Sequence, residues 1–137
     1  MKKKILIVDD DHHTARFLAK RLRARNYEVM VADDGVQGVQ KAKERIPDLI
    51  LLDMIMPQLS GIEVFEKLKQ LAITKQIPVI FMAAHPKSEI RKLVMEMGAK
   101  GLITKPFFSE DLELTIEMVI NDYYLIETQH QHLQNSR

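Results

Sequence analysis

The chain has 137 residues, enough for one domain with its own core and too few for two. Its 20 basic and 19 acidic side chains leave a formal net charge of +1, which argues against a polyanion-binding glove or a membrane-surface protein. There is no cysteine, so disulfides, thiolate metal sites and cysteine nucleophiles are excluded. The start, Met1-Lys-Lys-Lys4, looks like the charged end of a signal peptide. The apolar run that follows is only Ile5-Leu-Ile-Val8 and then meets Asp9-Asp10-Asp11, so no signal peptide is expected and the chain reads as cytoplasmic. No run is long enough to span a membrane.

Taken in order, the elements alternate. Ile5–Val8 reads as a strand over about 4–9, buried on both faces because every residue is apolar. A helix over about 12–25 follows, with Asp11 as its cap. The second strand covers about 27–32 and the second helix about 35–45, opening at Gly35. Pro47 precedes the third strand, about 48–53, whose apolar run Leu49-Ile-Leu-Leu52 ends abruptly in Asp53. Gly61 opens a helix over about 61–72. Pro78 begins the fourth strand, about 77–82, and Pro86 ends it before a helix over about 87–97. Gly98 leads to the fifth strand, about 100–104, ahead of Lys105-Pro106-Phe107. The last helix starts at about 108.

Five strand–helix repeats imply an α/β, doubly wound, five-stranded parallel sheet with helices on both faces. The last helix is extended. Leu112, Ile116, Val119, Tyr123, Ile126, His130 and Leu133 alternate spacings of four and three. The first three are expected on the sheet. The polar remainder, 123–137, reads equally as a frayed tail or as a coiled-coil linker to a partner chain or output domain. The domain itself is placed at 1–122.

In a sheet of order 2-1-3-4-5, strands one and three meet at the switch point, where such folds bind ligands. Asp9, Asp10 and Asp53 should therefore converge. Acids this close repel unless a cation joins them, and carboxylates with few other donors suit Mg²⁺. A carboxylate can also attack phosphorus to give an acyl phosphate. Lys105, at the end of strand five, would add positive charge for phosphoryl oxygens. His12, His13 and His85 are not expected to form a metal site, since the first two are adjacent and diverge on a helix.

These motifs resemble the response-regulator receiver domain of two-component signalling, over about residues 3–122. The likeness rests on Ile-Leu-Ile-Val-Asp9-Asp10, Asp53-Met-Ile-Met-Pro57 with Gly61, Gly98-Ala99, and Lys105-Pro106-Phe107. It implies the flavodoxin-like receiver fold and a signalling phosphoacceptor rather than a conventional enzyme. Asp53 would accept a phosphoryl group from the phosphohistidine of a histidine kinase or phosphotransfer protein. Asp10 and Asp53 would bind Mg²⁺ directly, Asp9 through water, and the Ile55 backbone carbonyl would complete the set. Lys105 would contact the phosphoryl oxygens, and the Lys105–Pro106 bond would be cis. An effector domain or protein is the implied output, and dimers through the fourth helix–fifth strand–fifth helix face or the C-terminal helix are further expectations. No helix pair suited to reading DNA follows the domain, so direct nucleic-acid contact is not expected.

The sequence departs from the family at its switch. Receiver domains usually carry Ser or Thr at the end of strand four and Tyr or Phe in strand five. Here these positions are Ala83 and Leu102. Ala83 offers no hydroxyl to the phosphoryl group, a charge-assisted bond worth roughly 1.5–3 kcal/mol. Phosphorylation is therefore expected to couple weakly to the fourth helix, fifth strand and fifth helix. Ile55 and His85 flank the expected path of an attacking water, and of the two only His85 can orient it. The alternative function is a phosphorylation-independent interaction module on the same fold. A nucleotide-binding flavodoxin-like protein is disfavoured, because the first strand–helix turn is acidic and lacks glycine.

Overall fold

A computed structural model describes residues 2–105 and 109–121. Five strands alternate with five helices: β1 Lys4–Val8, α1 His12–Ala24, β2 Glu28–Ala32, α2 Gly35–Arg45, β3 Leu49–Asp53, α3 Gly61–Gln70, β4 Val79–Ala84, α4 Ser88–Glu96, β5 Gly101–Lys105 and α5 Ser109–Ile120. The strands form one parallel sheet in the order β2-β1-β3-β4-β5, as the sequence predicts. Boundaries shift by one or two residues. β4 starts at Val79 because Pro78 has no N–H to give; its carbonyl still accepts from Ile50 N at 3.0 Å. β5 runs one residue further than expected, since Lys105 pairs with Ala84.

The unbroken apolar strands divide their side chains by parity. Leu6, Val8, Ile50, Leu52, Val79 and Phe81 face α2, α3 and α4, where they meet Ala42, Val64, Phe65, Leu68 and Val94. Ile5, Ile7, Leu49, Leu51, Ile80 and Met82 face α1 and α5, where they meet Leu18, Leu22, Leu112 and Ile116. From Ile5 to Val8 and from Leu49 to Leu52 both faces of β1 and β3 are therefore dry, and every side chain is apolar until the strands reach their carboxyl ends. Leu112 and Ile116 are buried and Val119 packs against the same cluster. The first three heptad positions thus belong to the core of the domain. The later ones, Tyr123 to Leu133, lie outside the described residues, as do the 123–137 extension and the Lys105–Pro106 bond.

Side-chain caps begin the first three helices, at Asp11 as the sequence suggests. Asp11 accepts from His13 N at 3.1 Å and from Thr14 Oγ1 at 2.7 Å. Asp34 and Ser60 cap α2 and α3 in the same way. At Gly61 the constraint is space. A Cβ there would lie 2.3 Å from the Asp53 carbonyl oxygen and 2.8 Å from Met54 Cα. Gly61 N donates to the Met54 carbonyl at 2.9 Å, and Met54 N to the Met82 carbonyl at 2.9 Å. The start of α3 is thereby laced directly onto the backbone that carries Asp53. Gly61→Ala should displace that backbone and cost about 1–3 kcal/mol, despite alanine's better helix propensity, as measured by urea unfolding.

Candidate functional site

The carboxyl edge of the sheet gathers the groups singled out in the sequence. Asp9 and Asp10 directly follow β1, β3 ends at Asp53 and β5 at Lys105. One carboxylate oxygen from each of Asp9, Asp10 and Asp53 lies within 4.8 Å of the others. Asp9 is fully buried, Asp53 is 7% exposed and Asp10 is open to solvent. The Asp9 carboxylate is held from two sides. Its Oδ1 accepts from Asp11 N at 2.9 Å, and its Oδ2 accepts from Lys105 Nζ at 3.0 Å. The same ammonium lies 3.4 Å from Asp53 Oδ1. Lys105 thus spans two strands to reach both buried acids.

The charges in this cluster do not balance. Three carboxylates face one ammonium, with two of the acids withdrawn from water. Burial pushes the Asp53 carboxyl up to about 7; the nearby Asp9 charge adds to the rise and Lys105 opposes it. Burial works to lower the Lys105 ammonium, but its hydrogen bond to Asp9 and the two negative charges outweigh that, and it ends above its usual value. A hard divalent cation would supply the missing positive charge, and the donor set consists only of oxygens. The residues therefore fit Mg²⁺, with Asp10 presented at the open side and Asp53 deeper.

The remaining sequence candidates sit apart. Asp11 is used as the α1 cap. His12 pairs with Asp33 at 3.7 Å on the surface, and the only metal-capable acid or histidine group among the described residues is Asp9, Asp10 and Asp53. The Ile55 side chain is 78% exposed beside the cluster. His85 leaves β4 with a left-handed φ of 45° and lines a groove of about 480 Å³ with Leu102, Thr104 and Lys105. Ala83 and Leu102 are 5% and 7% exposed and share one apolar cluster with Val94 of α4. The Leu102 side chain is already turned into the core. One residue that the sequence gave no reason to single out acts here: Arg91 of α4 donates to the Leu102 carbonyl at 3.2 Å. An arginine on an amphipathic helix carries no signal in a sequence, because its partner is a backbone carbonyl on a distant strand.

A doubly wound α/β domain with an acid cluster and a lysine at its switch point is the class that fold and site define together. The chain belongs to the response regulator receiver domain family, whose model matches residues 5–117. It is 34% identical over 120 residues to the alkaline phosphatase synthesis transcriptional regulatory protein PhoP of Bacillus subtilis (strain 168), covering 88% of this chain and 49% of that protein. It is 36% identical over 118 residues to the phosphate regulon transcriptional regulatory protein PhoB of Pseudomonas aeruginosa, covering 86% and 52%. The chain thus spans about half the length of these relatives. Among solved structures, Vibrio cholerae chemotaxis protein CheY4 matches with a TM-score of 0.83 and 28% identity, over 87% of this chain and 99% of that one. Members of this family are phosphoacceptors of two-component signalling that typically bind Mg²⁺ at an aspartate cluster. Among the described residues, no helix is long and apolar enough to cross a membrane.

The strained electrostatics of Asp53 have a measurable consequence. The unfolded carboxyl loses its proton near 3.8, whereas the folded one keeps it to about 7. Between those values the folded state binds more protons, so stability falls as pH rises through that window. Asp53→Asn should abolish this loss and stabilise the metal-free protein by roughly 1–3 kcal/mol at pH 7, with little change at pH 4. Thermal unfolding at the two pH values checks this.

Proposed function

We propose that this chain is the phosphoacceptor module of a two-component or phosphorelay pathway, with Asp53 as the acceptor and a phosphohistidine on a kinase or phosphotransfer protein as the donor. The observation that carries the proposal is the convergence of Asp9, Asp10 and Asp53 with the Lys105 ammonium, 3.0 Å from Asp9 and 3.4 Å from Asp53. An Asp53 carboxylate oxygen attacks phosphorus, the P–O bond forms, and the P–N bond breaks to release the donor imidazole. Mg²⁺ held by Asp10 and Asp53, with Asp9 acting through water and the Ile55 carbonyl as a further ligand, would neutralise charge on the transferring phosphoryl group. Among the described residues nothing donates a hydrogen bond to that carbonyl, which leaves it free for such a role. Lys105 is placed to hold an equatorial phosphoryl oxygen while remaining anchored on Asp9. The chain promotes its own phosphorylation and acts on no separate substrate, and its output passes to an effector domain or protein. Function in the cytoplasm, without direct contact to nucleic acid or membrane, goes with this reading.

The test is incubation with acetyl phosphate and Mg²⁺ followed by intact-mass measurement. The chain should gain one phosphoryl group, the gain should vanish in Asp53→Asn or with a chelator, and Lys105→Ala should slow it by about 10²-fold. No gain in the wild type with Mg²⁺ present would sink the proposal.

A second reading, a phosphorylation-independent interaction module, draws support from Ala83 and Leu102. Neither supplies the hydroxyl or the ring that the family uses. Leu102 already lies inside, and Arg91 ties α4 to its carbonyl. A ligand shifts a conformational equilibrium only through contacts that differ between the two states, and a methyl group at Ala83 gives the phosphoryl group little to pull on. The two readings combine in one expectation: Asp53 is chemically competent, but the α4–β5–α5 face responds weakly. Backbone NMR shifts on adding Mg²⁺ and a beryllofluoride mimic should then cluster at residues 9–11 and 53–61. Shifts of the same size throughout 86–104 would contradict weak coupling.

A further inference from the structure

The sheet ends in two edge strands, β2 and β5, and an edge strand is a template for pairing with another chain. On β2, the register with β1 sets which backbone groups stay unpaired. Glu28 N donates to the Lys3 carbonyl at 2.9 Å, and the Ala32 carbonyl accepts from Asp9 N at 3.1 Å. Backbone groups alternate along a parallel ladder, so Glu28, Met30 and Ala32 face β1. Val29 and Val31 then point their N–H and C=O groups outward. The segment Tyr27-Glu-Val-Met-Val-Ala32 carries one charge, at Glu28, and has neither proline nor lysine. A short, apolar, β-branched run of this kind pairs readily with a copy of itself.

Both outward carbonyls are nevertheless occupied. Arg23 Nη2 donates to the Val29 carbonyl at 3.2 Å, and Lys41 Nζ donates to the Val31 carbonyl. Arg23 comes from α1 on one face of the sheet and Lys41 from α2 on the other, so the two side chains close on the edge from opposite sides. Among the described residues, neither cation forms an ion pair. The last turn of α1 favours a cation at Arg23 without any help from β2. Lys41 has no such reason, because it lies in the middle of α2. Its partner is the strand edge.

We infer that Arg23 and Lys41 form a two-point latch that keeps the β2 edge from pairing with β2 of a second copy. In a two-fold antiparallel pair centred on Met30, Val29 of one copy would exchange hydrogen bonds with Val31 of the other, and the reverse. Every acceptor in that pairing is a carbonyl that the latch already holds. The two side chains also fill the space an incoming strand needs, about 4.8 Å from β2. Both cations must leave their carbonyls before a strand can add. The usual guards of an edge, a lysine, a proline or a bulge, sit within the strand. Here the flanking helices supply the guard, because β2 carries none.

The test removes the donors and keeps the aliphatic stems, with Arg23→Met and Lys41→Met together in the full chain. The carbonyl ¹³C resonances of Val29 and Val31 should move upfield as each loses its charged donor. Self-association should tighten by at least ~10-fold in sedimentation equilibrium, because the freed carbonyls can accept from a second copy. The control is Arg16→Met with Lys43→Met, which takes the same charge from exposed positions of the same two helices and should behave as wild type. The chain has no cysteine, so a nitroxide at Glu28→Cys reports on β2 alone. In the latch variant, two such labels should approach within roughly 20 Å, and in the wild type they should not. If the double variant does not fold, Lys41→Met alone should still move the Val31 carbonyl and bring the labels together. The inference fails if the carbonyl resonances stay in place, or if the latch variant associates no more tightly than the control. It also fails if labels at Leu93→Cys on α4 approach one another and those at Glu28→Cys do not.

Discussion

The fold depends on tolerating two buried carboxylates at the edge of an otherwise apolar sheet. Asp9 and Asp53 are drawn from water by the same strand packing that makes β1 and β3 stable, and among the described residues Lys105 is the one cation that reaches both. Removing charged groups from water is expensive, and one ammonium does not compensate for three acids. The site is held in tension by the fold around it. That tension is what a metal ion would relieve, so binding one there would draw on energy stored when the chain folds.

The surrounding structure keeps this arrangement in register. Gly61 lets α3 lie against the Asp53 carbonyl, and the Asp11 amide fixes the Asp9 carboxylate from behind. Lys105 sits at the last paired position of β5, opposite Ala84. Its aliphatic stem crosses β4 before the ammonium meets the acids. Asp53 and Lys105 are strand ends and Asp9 continues the ladder of β1 through its N–H to the Ala32 carbonyl, so their positions are set by sheet hydrogen bonds, while Asp10 follows at the open edge.

The rest of the domain limits where signals can leave. The route through β4 and β5 is packed tight, with Ala83 and Leu102 in one apolar cluster and Arg91 pinning α4 to β5. At the other end of the sheet, Arg23 and Lys41 hold the outward carbonyls of β2. Because α5 joins the core through Leu112 and Ile116, it is held at a fixed angle.

Much of this was legible in the sequence. Short apolar runs ending in acids announced buried parallel strands, and chain-order rules then left few sheet orders to consider. The strand ends named Asp9, Asp10, Asp53 and Lys105, and the heptad spacing placed Leu112, Ile116 and Val119 on the sheet. These features are local or periodic, which is why they survive in one dimension. Only the tertiary structure decided the rest. Asp53 is displaced towards neutral pH by burial and Asp9 together, and burial is a property of the packed whole. Arg91 finds a backbone carbonyl eleven residues away on another element. Glu113 becomes nearly buried only because α1 lies beside α5, 92 residues from Arg21 along the chain. Such pairings depend on which surfaces the sheet brings together, and no single segment encodes them.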